Sequence, residues 1–233
     1  MYILAIDTST SILGVAILRD EQVIGEFTTN IAKNQTPRLM PAIDFLMNEV
    51  ELSPDQLNKI IVAKGPGSYT GVRVGLTTAK SLAWALDIPI VGVSSLQSLA
   101  YQGRFFSAYI CPFFDARRET VFTGLYKWEK NQLVQVIEDS NILMKDWLEM
   151  IKEYEQEIMF LSPHIEQFQQ QIVDEIEEFA IIPEGPFHLP KPAHLAMVGL
   201  NQSPDPVHSL VPNYLRLAEA EANWLKAQGK KKK

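Results

Sequence analysis

The sequence predicts an α/β protein assembled from two copies of one small unit, and three observations carry that prediction. An apolar run over residues 2–6 closes on Asp7, turns through Thr8-Ser9-Thr10-Ser11 and returns as a second apolar run over residues 13–18. Residues 108–114 repeat the pattern: the run ends on Asp115, turns through Ala116-Arg117-Arg118-Glu119 and comes back over residues 120–126. Short apolar or β-branched runs bounded by turn-formers read as strands. Between the copies lies the glycine-rich loop Lys64-Gly65-Pro66-Gly67-Ser68-Tyr69-Thr70-Gly71, fed by a strand-like run at residues 59–63 and followed by a long amphipathic pattern.

Taken in order, residues 22–29 alternate well enough to add a third strand to the opening meander. Thr36 can cap a helix with Pro37 at its first position, where the missing N–H costs nothing. Leu39, Ile43, Leu46 and Val50 then share one stripe at helical spacing, the expected core face. Met40 and Met47 lie about a quarter-turn off it, either filling core gaps or widening the helix into a second contact surface. After the glycine loop, a helix over residues 72–87 puts Val72, Leu76, Ala79, Leu82, Ala83 and Leu86 on its core face. Val74, Ser81 and Ala85 make a face of smaller residues. Trp84 falls on a flank with Arg73, Thr77 and Lys80, as an interface anchor or as a ring resting on a neighbouring loop.

Pro89 ends that helix, residues 88–93 read as a strand, and Ser94 or Ser95 opens another helix. Beyond the second strand–aspartate–turn–strand the signal weakens. Residues 142–154 read as a helix, 158–161 as a strand, 167–179 as an acidic helix, 180–182 as a short strand, 193–200 as a small helix and 215–228 as a terminal helix. The repeat, with a glycine loop and helix between its copies, predicts a duplicated RNase H-like unit. The expected lobes are residues 1–103 and 104–229, with mixed sheets flanked by helices, followed by a basic tail at 230–233.

Composition narrows the chemistry. The chain has 233 residues, enough to bury a real core. No apolar run reaches the length of a membrane span and residues 1–7 carry no basic region or cleavage site, so a cytoplasmic protein is expected. A single cysteine, Cys111, excludes an internal disulfide and any multi-cysteine zinc site. The four histidines show no i, i+4 pair, so no metal site is expected. The net charge is −7 even with four terminal lysines included, so the body is not an electrostatic glove for RNA, and the lysine run reads as a solvated tail.

The glycine loop can present free N–H groups at a helix N-terminus to phosphate or carboxylate, with Ser68 or Thr70 as cap, or its glycines can serve geometry alone. An aspartate ending each first strand, Asp7 and Asp115, could hold Mg²⁺ with a nucleotide, or close an Asx-turn. A nucleotide site of the actin or kinase type also needs a late glycine-rich adenosine loop, and the C-terminal third offers only Gly185 and Gly199 there. The expected layout is an ATPase-like architecture with an incomplete nucleotide site.

The segments Ile3-Leu4-Ala5-Ile6-Asp7-Thr8-Ser9-Thr10, residues 64–75, Val93-Ser94-Ser95-Leu96, Phe114-Asp115-Ala116-Arg117-Arg118 and Pro212-Asn213-Tyr214-Leu215-Arg216 occur in the order and spacing of the TsaB (YeaZ) family, which the chain resembles over essentially its whole length. That resemblance implies the actin/Hsp70/sugar-kinase (ASKHA) fold and a subunit of the bacterial machinery that makes threonylcarbamoyladenosine beside the anticodon of tRNA. It also implies a paralogue, TsaD, as the catalytic partner. TsaD holds a metal through a His-x-x-x-His motif; the equivalent stretch here, Asn34-Gln35-Thr36-Pro37-Arg38-Leu39-Met40, has no histidine. Many members have His-Ser where this chain has Asn34-Gln35, and glycine where it has Glu119. The second difference casts doubt on a phosphate-binding role for the turn after Asp115.

The implied role is a non-catalytic scaffold that binds TsaD and carries no cofactor of its own, with the ATPase TsaE as third member and tRNA met only through the complex. The family's partner surface uses the two N-terminal-lobe helices, which here makes Met40, Ile43, Met47, Val74, Ser81 and Trp84 the expected contacts. The same surface would support homodimers when the partner is absent. Asp7, Thr8, Ser9, Gly65, Gly67, Ser68, Thr70, Gly71, Asp115 and Arg117 make up the expected vestigial anion or nucleotide site. The alternatives are an ATP- or adenylate-handling transferase using Asp7 and Asp115, and a tRNA-binding module using Arg117, Arg118 and the lysine tail.

Overall fold

The computed structural model describes residues 1–31 and 34–216. Its strands form two five-stranded sheets. In the first, β1 (Tyr2–Asp7), β2 (Ile12–Arg19), β3 (Gln22–Asn30), β4 (Leu57–Ala63) and β5 (Ile90–Val93) run in the order β3-β2-β1-β4-β5. The meander β1–β2–β3 is antiparallel, and β4 and β5 continue the sheet in parallel from β1. In the second, β6 (Tyr109–Asp115), β7 (Thr120–Glu129), β8 (Gln132–Leu143), β9 (Ile158–Leu161) and β10 (Ala180–Ile181) run β10-β9-β6-β7-β8. Read from its other edge, this is the same order, with the same antiparallel meander and parallel extension. The duplication inferred from Asp7 and Asp115 is therefore a duplication of topology.

Strand β1 is apolar on both faces because both are covered: Ile3, Leu4, Ala5 and Ile6 are fully buried. On one face, α1 (Thr36–Glu49) and α2 (Tyr69–Leu86) pack on Leu4, Ile6, Leu13, Val15, Ile60 and Val62. On the other lies α6 (Pro192–Gly199), whose Ala193, Leu195 and Ala196 meet Ile3, Ala5, Ala16 and Val91. The second sheet repeats the arrangement. There α4 (Met144–Lys152) and α5 (Ile165–Ile176) cover one face, while α3 (Ser95–Ala100) covers the other with Leu96, Leu99 and Ala100 against Ile110, Phe114 and Leu161. Each half of the chain thus lends one helix to the other half's sheet. A cut between residues 103 and 104 separates the sheets, but α3 and α6 each cross it.

Several expectations need correction. Thr36 does not cap α1: Gln35 sits at the cap position, and Asn34 Oδ1 accepts the Thr36 N–H at 3.1 Å. The helix expected from residue 142 starts at Met144, because Ile142 and Leu143 finish the unanticipated strand β8. The acidic helix runs Ile165–Ile176 rather than 167–179, ending where Glu177 takes a positive φ of 57°. The terminal helix expected over residues 215–228 and the lysine tail lie, apart from Leu215 and Arg216, outside the described residues. Among the described residues no helix is long and apolar enough to cross a membrane.

Candidate functional site

The glycine loop connects β4 to α2 and is pressed against the turn after β1. The Ser68 N–H donates to Ser9 O at 2.6 Å, and the Thr8 hydroxyl donates to Gly71 O at 2.7 Å. A Cβ on Gly67 would stand 2.0 Å from Ser9 O, and one on Gly71 2.1 Å from Thr8 O. These glycines are required by the close approach of two backbones. Of the two candidate caps it is Ser68 that acts, its Oγ accepting the Gly71 N–H at 3.2 Å.

Both repeat aspartates close Asx-turns. Asp7 Oδ1 accepts the N–H and the hydroxyl of Ser9 at 2.9 and 2.7 Å, and Asp115 Oδ1 accepts the Arg117 N–H at 2.7 Å. Asp7 is 2 % exposed and its Oδ2 has no hydrogen-bond partner. Burial pushes its carboxyl above the usual range, against the two Ser9 hydrogen bonds that favour the charged form. The turn after Asp115 places Arg117, Arg118 and Glu119 at φ 66°, 55° and 60°. This left-handed backbone suits glycine best.

Between the two turns runs an inter-lobe cleft of about 670 Å³. It brings together Ser9, Gly67, Ser68, Thr70, Asp115 and Arg117 from the expected set. Asp7, Thr8 and Gly65 are buried and off its walls, and Gly71 lines a smaller neighbouring pocket with Thr10, Gln35 and Val74. Asp7 and Asp115 therefore do not form a carboxylate pair facing one space. His164, read from sequence as one of four scattered histidines, also lines the cleft, and its Nδ1 accepts the Asp115 N–H at 3.4 Å. Burial lowers its pKa, opposed by the Asp115 charge. Among the described residues no group of three His, Cys, Asp or Glu side chains could hold a metal ion.

Two of the polar connections between the lobes bear on the site. Asn213 N–H donates to Lys64 O at 2.7 Å, Tyr214 stacks on Tyr69 and accepts from Arg73 Nε at 2.5 Å, and Arg216 Nη1 donates to Ala116 O at 2.7 Å. The Pro212-Asn213-Tyr214-Leu215-Arg216 motif thus straps the glycine loop to the Asp115 turn. Farther along, Asp139 of β8 accepts from Ser94 Oγ at 2.5 Å, from the Tyr126 hydroxyl and from Gln135 Nε2 at 2.9 Å. Burial raises the pKa of both Asp139 and Tyr126. Tyr126 and Gln135 belong to the same sheet as Asp139, on β7 and β8, and only the Ser94 bond crosses between the lobes, so sequence spacing does not disclose it.

The residues expected at a partner surface divide into two groups. Met40 is 48 % exposed and Trp84 69 % exposed, Ser81 is exposed, and Val74 is half-buried. Ile43 and Met47, at 3 % and 6 % exposure, belong to the core beneath α1. That is a correction: the α1 core arc is wide enough to take in Met47, so neither side chain is offered to a partner. Phe45, at 53 % exposure, was not anticipated.

The doubled five-strand order around an inter-lobe cleft defines the actin/Hsp70/sugar-kinase fold. A family model described as "TsaD: tRNA N6-adenosine threonylcarbamoyltransferase" matches residues 22–224. The tRNA threonylcarbamoyladenosine biosynthesis protein TsaB of Bacillus subtilis is 50 % identical over 228 residues, covering 98 % of this chain and all of that one. The protein of the same description from Escherichia coli is 33 % identical over 134 residues, 56 % of this chain and 57 % of that one. The solved structure "YeaZ from Pseudomonas aeruginosa" matches with a TM-score of 0.76 at 20 % identity, covering 92 % of this chain and 99 % of that one. The chain belongs to the TsaB (YeaZ) family of tRNA threonylcarbamoyladenosine biosynthesis proteins.

Proposed function

We propose that this chain is a non-catalytic scaffold that docks on TsaD through α1 and α2 and supports transfer of the threonylcarbamoyl group to tRNA. The observation that carries the reading is the state of the two repeat aspartates. Asp7 is buried and turned to Ser9, Asp115 is tied to the backbone of Arg117, and the glycine loop is closed against Ser9 and Thr8. Each feature is accounted for by turn geometry and backbone packing, which leaves no pair of carboxylates converging on a substrate. Met40 and Trp84 stand exposed on the helix pair and give a partner apolar anchors. TsaE completes the assembly, tRNA meets this chain only through the complex, and the same helix faces pair as a homodimer when TsaD is absent.

The test is the double variant Asp7→Asn with Asp115→Asn in a reconstituted complex of this chain, TsaD and TsaE. A scaffold retains tRNA modification within about threefold of wild type, since both substitutions keep the Asx-turn acceptor. A loss of a hundredfold or more with the fold and the complex intact would overturn the scaffold reading, because removing a catalytic group costs on that order.

A further inference from the structure

Two lobes around an open cleft are free to hinge unless something spans them. Here the span is residues 205–216, which end in the Pro212–Arg216 motif. For most of its length the segment is bonded to the first lobe. Asp205 N–H donates to Ile90 O, and Asp205 Oδ2 accepts the Gly92 N–H, both at 2.8 Å, along the outer edge of β5. Lys80 Nζ of α2 donates to Leu210 O at 2.8 Å and to His208 O at 3.2 Å. Asn213 N–H on Lys64 O and the Tyr214 ring on Tyr69 then pin it to the glycine loop and the first turn of α2. The Arg73 guanidinium stiffens that anchor, 3.9 Å from the centre of the Tyr69 ring and bonded to the Tyr214 hydroxyl. Pro206 and Pro212 fix φ along the way. Only at Arg216 does the segment cross, its Nη1 donating to Ala116 O of the second lobe at 2.7 Å.

This leaves the crossing without slack. Even fully extended, the backbone from Asn213 to Arg216 reaches about 11 Å, and its start is fixed on Lys64. Ala116 lies between Asp115 and Arg117, and all three line the cleft with Tyr69. The lobes are also joined at a seam, where α3 and α6 bury Leu96, Leu99, Ala193 and Leu195 and where Ser94 Oγ donates to Asp139. The two attachments differ in kind. The seam is apolar and buried, so parting it exposes core, whereas beside the cleft one charge-assisted bond from an exposed side chain does the holding. We propose that the 205–216 strap is a lock that keeps the inter-lobe cleft from opening, with the bond from Arg216 to Ala116 O as its catch. With the catch made, the two lobes move as one body; with it broken, the second lobe swings about the α3–α6 seam. The lock acts within the chain alone and needs no partner.

The test is the distance between spin labels on Asp44→Cys of α1 and Gln169→Cys of α5, two exposed positions in different lobes, measured on the full chain by double electron–electron resonance. Cys111 is buried and takes no label. With the native strap, a single narrow distance distribution is expected. Arg216→Ala removes the catch and leaves the rest of the strap anchored. It should raise a longer-distance population at least about tenfold over the level with Arg216 in place, as loss of a charge-assisted bond implies. Two populations with Arg216 in place, or an Arg216→Ala distribution that superposes on the native one, would each overturn the proposal. A second label pair, on Glu21→Cys and Asp44→Cys, lies within the first lobe and should keep its distance with and without Arg216. If Arg216→Ala shifts that pair as well, the variant has disturbed the fold, and the inter-lobe distribution with Arg216 in place decides.

Discussion

Replacing Gly71 by alanine tests how the glycine loop is held. The added Cβ would lie 2.1 Å from Thr8 O, where ordinary contact needs well over 3 Å. The N-terminus of α2 must therefore part from the end of β1 by about an ångström. Parting stretches two bonds that hold the loops together, Ser68 N–H to Ser9 O and Thr8 Oγ1 to Gly71 O. Each contributes about 1 kcal/mol net, and the forced repacking adds about 1–3 kcal/mol. The expected loss is about 3–5 kcal/mol, a large share of the roughly 5–15 kcal/mol that holds a domain folded. Gly75→Ala should cost less, since its Cβ would meet the Thr8 hydroxyl at 2.4 Å, a side-chain atom whose displacement gives up the bond to Gly71 O but leaves the two backbones in place. Gly185→Ala, with nothing within 4 Å, is the control. Urea unfolding monitored by circular dichroism reads the order from midpoint shifts at unchanged slope. A loss below about 1 kcal/mol for Gly71→Ala would refute the claim that these glycines exist for backbone contact.

Two further outcomes follow from buried groups. Because the folded pKa of Asp7 lies above its unfolded value, the folded chain keeps a proton that the unfolded chain has released. Its stabilising contribution is present below the unfolded value, about 3.9, and is lost as pH rises through the raised folded value. Asp7→Asn should thus gain stability relative to wild type as pH rises from about 4 to 7, measured by urea midpoints at each pH; a gain that shrinks with rising pH contradicts the assignment. Cys111 is fully buried, accepts from Trp147 Nε1 at 3.2 Å, and its thiol is pushed up to about 11. Ellman's reagent should leave it untouched in native buffer and modify it only at the rate of unfolding; stoichiometric labelling within minutes of native protein would contradict this.

The fold was legible where local chemistry and tertiary position agree. The Asp7 and Asp115 turns, the glycine loop and the α2 stripe each announce themselves through spacing and turn residues. Strand β8 was not legible because it is an edge: Gln132, Gln135, Glu138, Asp139 and Ser140 interrupt its apolar residues, and its place is set by pairing with β7 across register shifts. Residue spacing located α3 and α6 but not their exchange between sheets, which depends on tertiary contacts of α3 with β6 and β9 and of α6 with β1, β2 and β5. At the candidate site, sequence named the cleft's turns correctly but placed the buried Asp7 as though it faced the space between them. It missed His164, whose partner Asp115 lies on β6, and Asp139, whose bond from Ser94 forms across the lobes. On α1, a helical stripe fixes a direction and not a width, which is why Met47 proved to be core and Phe45 exposed.

The scaffold claim meets its most direct test in size-exclusion chromatography with light scattering on this chain mixed with TsaD of the same organism. Wild type should form a 1:1 heterodimer at micromolar concentrations. Trp84→Ala, removing an exposed ring from the last turn of α2, should weaken it by about 2 kcal/mol, roughly thirtyfold in Kd, and Met40→Asp, placing a charge on the exposed face of α1, should weaken it comparably. Gly185→Ala should leave it unchanged. A mixture that stays unassociated, or a heterodimer indifferent to both Trp84 and Met40, would contradict docking through α1 and α2.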